Sequence, residues 1–155
     1  MLLSPLLQTP QVVLRFPNAT EEVAAIDTGA TVCTISQATA ERVGLRPTPH
    51  YSEIVLADGT SRGIQIHVAD SLSLQAPSEE QFSAPAQVSV PKRTEVWFAV
   101  LPGVTPTLLG MNVLQDCTLA FHGPGRAYSL SSTATGLAKV PHRMVDVLHY
   151  PHRAP

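Results

Sequence analysis

Charge is what this sequence has least of. Asp, Glu, Lys and Arg make up 14% of its 155 residues, against about 25% in an ordinary soluble domain, and the formal net charge is −2. No basic stripe is available to neutralise a phosphate backbone or an anionic membrane surface, so neither nucleic acid nor membrane is an expected partner. The apolar N-terminus, Met1 to Leu7, is broken by Pro5; it is too short to span a bilayer and lacks the positive flank of a signal peptide. Cysteine is scarce as well. Cys33 and Cys117 sit in apolar context without metal-ligand spacing and read as free, buried thiols of a reducing compartment. A cytoplasmic chain with no metal and no cofactor is expected.

Several enzyme signatures are missing too. There is no Gly-x-Ser-x-Gly elbow, no His-Glu-x-x-His pair and no phosphate loop, which removes the commonest hydrolase and nucleotide-dependent chemistries. His67 stands in an alternating strand pattern, where an exposed or hydrogen-bonded side chain is expected, and His142, His149 and His152 fall in the C-terminal tail. Asp58, Asp70 and Asp116 lie in turn contexts that suit solvated carboxylates. No internal repeat is present.

Proline, in contrast, is abundant: the chain has 14, about twice the usual share of about 5%. Proline is kept out of helix interiors and central strands, so its even scatter predicts many short strands joined by turns. The expected fold is mostly β, with one or two short helices. A domain over residues 10–130 is expected, flanked by an N-terminal arm at 1–9 and a mobile or draped tail at 131–155.

Strands are predicted at Gln11–Phe16 and Val23–Ile26, around a Pro-Asn-Ala-Thr turn. Val32–Ile35 follows, and Ser36 is placed to cap a short helix that Gly44 ends. Glu53–Leu56 and Ile64–Val68 flank Asp58-Gly59, the strongest hairpin signal in the chain, and Ser71–Leu74 extends the second arm. Gln75–Pro91 reads as a surface loop followed by a modest strand at Gln87–Val90. Val96–Leu101 is apolar enough to be central. Leu108-Leu109 leads through Gly110 into a short helix, and Cys117–His122 with Ala127–Leu130 makes a last hairpin around Gly123-Pro124-Gly125.

The chemistry concentrates at Ala25-Ile26-Asp27-Thr28-Gly29-Ala30-Thr31. An apolar run delivers a carboxylate to a tight turn, where low dielectric disfavours its charged form unless partners or chemistry retain it. Two carboxyls about 3 Å apart cannot both ionise, so they share a proton. One then acts as base on a bridging water and the other as acid toward a carbonyl. Gly29 allows close backbone approach, Thr28 offers a hydroxyl to hold the loop, and Ala30 leaves room for substrate.

Ile26-Asp27-Thr28-Gly29-Ala30 resembles the signature of the retropepsin-like aspartic proteases. Leu108-Leu109-Gly110-Met111-Asn112-Val113-Leu114 is similar to the family's second motif. The stretch from Thr34 to Arg42 resembles bacterial and Ddi-type members. The sequence departs from retroviral members at Thr31, where those usually carry an acid, and in a flap tip poorer in glycine.

This resemblance, over about residues 10–130, implies a closed β-barrel or sandwich in which Leu109, Gly110 and Asn112 support the catalytic loop. It also implies a flap over Ala57, Asp58, Gly59, Thr60, Ser61, Arg62 and Gly63. Apolar pocket walls are expected from Val32, Val55, Ile64 and Leu108. With one Asp-Thr-Gly and no repeat, a protease of this type must be a homodimer, Asp27 of each subunit meeting on the twofold axis. The implied activity is endopeptidase cleavage of peptide or protein substrates at acidic to mildly acidic pH, with a preference for apolar residues near the scissile bond. The alternative is a catalytically silent retropepsin-fold module for dimerisation or peptide binding.

Overall fold

A computed structural model of the chain describes residues 9–55, 58–78, 86–122 and 127–132 and the backbone of 152–153. Among them lie eleven strands and two short helices, the mostly β architecture expected from the proline content. The arm at 1–8, Ala57, the turn at 123–126 and most of the tail lie outside the described residues.

The first hairpin pairs β1 (Gln11–Arg15) with β2 (Glu21–Ile26) antiparallel. Beyond the Asp27 loop, β3 (Cys33–Ser36) leads into α1 (Gln37–Val43). Ser36 caps that helix by accepting from the Thr39 amide, and Gly44 ends it with φ of 76°, a left-handed geometry that favours glycine. Ala40 and Val43 are the residues this helix buries against the core.

The central hairpin is longer than its sequence suggests. Its arms are β4 (Arg46–Val55) and β5 (Ser61–Gln75). β4 runs through Pro47 and Pro49, with a register shift between Pro47 and Tyr51. Proline is tolerated there because, among the described residues, that part of β4 is hydrogen-bonded only to β5, leaving its other edge unpaired. β5 in turn pairs with β4, with β7 (Arg93–Leu101) and, at its far end, with β1.

That last pairing closes the sheet. The order is β1-β2-β8-β3-β7-β5-β4-β11, with β8 at Leu108–Leu109, β11 at His152–Arg153 and an additional β1–β5 contact. β1, β2, β8, β3, β7 and β5 therefore form a closed ring, while β4 projects from it and takes β11 in parallel at Ile54 and Val55. Val12, Leu14, Ile35, Leu72, Phe98 and Leu109 fill the interior with almost no exposure.

A second, three-stranded sheet has the order β6-β10-β9, from Ala86–Ser89, Ala127–Ser132 and Cys117–His122. The modest strand expected at Gln87–Val90 is thus present as β6, which pairs with β10 in parallel. Tyr128 and Leu130 of β10 join the main core, and the Tyr128 hydroxyl donates to the Gln11 carbonyl.

The described aspartates outside the catalytic loop are engaged locally. Asp58 accepts from the amide and hydroxyl of Thr60, which hold its pKa down. Asp70 meets Arg46 at 2.9 Å, and Asp116 is bound by both terminal nitrogens of Arg93. His67 differs from expectation. It is buried, its Nδ1 lacks a partner among the described residues, and desolvation lowers its pKa; it stands where β5 is paired along both edges, by β4 and β7. Both cysteines are free; Cys33 is buried and Cys117 half-buried. No helix among the described residues is long and apolar enough to cross a membrane.

Replacing Ser36 by Ala removes the cap of α1. The expected cost is about 1 kcal/mol, read as a lower urea midpoint with an unchanged slope.

Candidate active site

The Asp27 loop is held by backbone before any side chain is considered. β2 runs into the loop, β3 runs out of it, and β8 lies between them, parallel to β2 and antiparallel to β3. The Asp27 amide donates to the Leu109 carbonyl at 3.0 Å, and the Met111 amide donates to the Ala30 carbonyl at 2.8 Å. The loop is thus tied at both ends to the segment around Gly110, which begins helix α2 (Met111–Leu114).

Gly110 permits this contact by having no side chain. A Cβ there would stand 2.6 Å from the Val32 carbonyl carbon and 2.9 Å from the Cys33 nitrogen. Both are backbone atoms and cannot swing aside.

Asn112 completes the support. Its Oδ1 accepts from the Cys33 amide at 2.9 Å and from the Cys33 thiol at 3.2 Å, while its Nδ2 donates to the Trp97 carbonyl at 3.0 Å. The Cys33 sulfur also accepts from the Gly110 amide at 3.3 Å. Burial pushes the Cys33 thiol up to about 12, so it stays protonated and acts as an internal bridge. Sequence reasoning identified Asn112 and Gly110 but not this role for Cys33. A small, weakly polar residue facing the second motif was the available signal.

Asp27 is half-buried rather than enclosed, and Thr28 and Gly29 are exposed. The expectation of a buried carboxylate does not hold for the isolated chain, since the tip of the loop faces outward. Asp27 Oδ1 accepts from the Gly29 amide at 2.8 Å. This fixes the carboxylate's orientation and leaves Oδ2 without a hydrogen bond among the described residues. Ala30, immediately after, is buried.

A cavity of about 30 Å³ lies between this loop and β4. Ala30, Thr31 and Val32 line it from the loop, Thr34 from β3, Leu108 from β8, and Ser52, Glu53 and Ile54 from β4. Val32 and Leu108 are therefore brought together as wall residues. Ile64 is instead buried in a small apolar cluster with Val32, Ile66 and Ala99, and Val55 is half-buried near the end of β4; neither lines this cavity. Thr31, where the loop departs from retroviral members, also lines it, and the wall residues that sequence reasoning missed are Thr34, Ser52, Glu53 and Ile54. Beyond β4 the hairpin tip includes Gly59 with φ of 83°, and added Cβ atoms at Gly59 and Gly63 would meet nothing within 4 Å. Asp58, Thr60, Ser61 and Arg62 stand exposed there, the Ser61 hydroxyl donating to Glu53.

A family model described as "gag-polyprotein putative aspartyl protease" matches residues 18–116, a span that includes the loop, the β4–β5 hairpin and the Gly110 segment. No curated protein matches the chain. Among solved structures, the chain is similar to the EIAV protease complexed with the inhibitor HBY-793, at 17% identity and a TM-score of 0.42, with 74% of this chain and 93% of that chain covered.

Two substitutions test how the loop is held. Gly110→Ala forces backbone apart and is expected to cost about 1–3 kcal/mol. Asn112→Ala strands the Cys33 amide and the Trp97 carbonyl and is expected to cost about 1–3 kcal/mol. Chemical denaturation reads both.

Proposed function

Because the chain belongs to the gag-polyprotein aspartyl protease family, we propose that it is a homodimeric aspartic endopeptidase in which Asp27 of each subunit activates water. The observation that carries this reading is Asp27 itself, oriented by the Gly29 amide on a loop whose tip is exposed. One carboxylate cannot supply both the base and the acid of the reaction. Asp58, Asp70 and Asp116 are committed to Thr60, Arg46 and Arg93, so a second copy of the loop is the natural source of the other group.

A second copy would also cover what one chain leaves open. β9 is an edge of the three-stranded sheet, and Phe121 on it is 64% exposed. An edge unpaired among the described residues and carrying an exposed aromatic supports strand-to-strand association, as does the low surface charge.

The mechanism follows from the geometry of a paired loop. The two carboxyls share a proton; the ionised one takes a proton from the bridging water as the water attacks the peptide carbonyl. The other protonates the carbonyl oxygen, and the resulting tetrahedral species collapses with proton transfer to the leaving nitrogen. Gly29 offers main-chain groups to an extended peptide, and the hairpin tip from Ala57 to Gly63 would close over it as a flap. Thr28 would hydrogen-bond across the twofold axis.

Asp27→Asn preserves shape and removes the shared proton. Cleavage of a peptide library between pH 3 and 7 is expected to fall by about 10³-fold or more. The specific activity of the wild type is expected to drop on dilution, in step with the dimer fraction measured by sedimentation. Equal inactivity of both proteins would favour a peptide-binding module, and full activity in a strict monomer would overturn the shared site.

A further inference from the structure

β4 meets the site edge-on. Ser52, Glu53 and Ile54 are consecutive and all three line the cavity beside the catalytic loop, whereas one face of a strand presents only alternate residues. Along this stretch β5 fills one edge of β4, so the edge turned to the cavity is the opposite one.

Prolines divide that edge. Pro47 and Pro49 have no N–H to offer, and the register shifts between Pro47 and Tyr51. The first half of β4 therefore cannot carry a regular added strand. From Tyr51 to Val55 every residue keeps its N–H and stays in register with β5. The half of β4 able to accept a strand is the half that walls the site.

Backbone from the same chain already sits there. β11 runs parallel to β4, with His152 opposite Ile54 and Arg153 opposite Val55. In the sequence Pro151 and Pro155 bracket this piece; proline adds no ladder donor and favours extended backbone in the residue before it. The added strand is thereby kept short. Parallel pairing is also slightly weaker per residue than antiparallel pairing, so two paired residues hold loosely. Tethering compensates, because a segment of the same chain is present at high effective concentration.

An extended peptide that binds by strand addition needs this same edge. Resting on the protease reading of the site, we propose that the C-terminal segment around His152–Arg153 is a built-in competitor that occupies the outer edge of β4 and must leave before peptide docks there. The apparent affinity for peptide is then lowered by the fraction of chains whose edge is free. The catalytic loop is untouched by this contact, so the device acts on KM and leaves kcat unchanged.

The test uses the full chain carrying His152→Pro and Arg153→Pro together, which removes both backbone donors of β11 and alters no residue of the loop or the cavity. A fluorescent synthetic peptide of residues 147–155 is expected to bind this variant about 3- to 10-fold more tightly than the wild type. A cleaved library peptide is expected to show a KM lower by the same factor with kcat unchanged. Hydrogen exchange at Ile54 and Val55 is expected to be faster in the variant, with exchange in β5 and β7 unaltered. Equal peptide affinity and equal exchange in the two proteins would overturn the proposal, as would a variant that changes kcat and not KM. Protection of Ile54 and Val55 that is lost on dilution, in step with the dimer fraction, would assign the edge to a second copy's segment and overturn it as well. Tighter peptide binding by the variant with no cleavage by either protein would sustain the competitor while overturning the protease reading.

Discussion

β8 can lie between the strands entering and leaving the Asp27 loop because Gly110 carries no side chain. Much else follows from that contact. It places the Leu109 carbonyl under the Asp27 amide and the Met111 amide under the Ala30 carbonyl, so the carboxylate is aimed by covalent geometry and ladder bonds rather than by mobile side chains. It also brings Cys33 within reach of Asn112, which ties the loop to the carbonyl of Trp97 on β7. Rigid backbone support of this kind suits chemistry in which small errors of placement are costly.

The same support leaves the loop tip unfinished. A fully buried lone carboxylate would be neutralised or strongly destabilising, whereas a half-buried one at an exposed tip persists in a single chain and becomes enclosed only when another surface meets it. The exposed tip is compatible with the proposed pairing of two loops. The low charge of the chain and the β9 edge, unpaired among the described residues, are compatible with the same proposal, each independently of the loop.

Much of this was legible in the residues because the signals were local. Ser36 and Gly44 bracket a helix by chemistry that acts within one turn, and Asp58-Gly59 marks a hairpin by backbone geometry alone. Gly110 and Asn112 stood out through a motif whose spacing reflects contacts with the loop. What the sequence concealed depends on neighbours distant in the chain. Pro47 and Pro49 look like the end of an element until β4 is seen to have an unpaired edge. His67 looks like an exposed strand residue until β4 and β7 flank its strand. Thr34, in the run Val32 to Ser36, is indistinguishable from any β-favouring threonine until β4 and Leu108 form a cavity in front of it. Apolar residues were the natural choice for pocket walls, and the structure places two of the four chosen, Val32 and Leu108, in this one.

The arrangement of β8 between β2 and β3 has a consequence in time as well as space. A ribosome makes Asp27 early, but the carbonyl that receives its amide belongs to Leu109, and the Asn112 side chain that pins the strand beyond it comes later still. The ring itself closes by joining Val13 to Gln75, a pairing of the non-local kind that forms slowly. A nascent chain therefore carries its acid without the frame that would aim it until the segment from Leu109 to Asn112 has followed. Built in this order, the loop is framed only once the segment through Asn112 has been made.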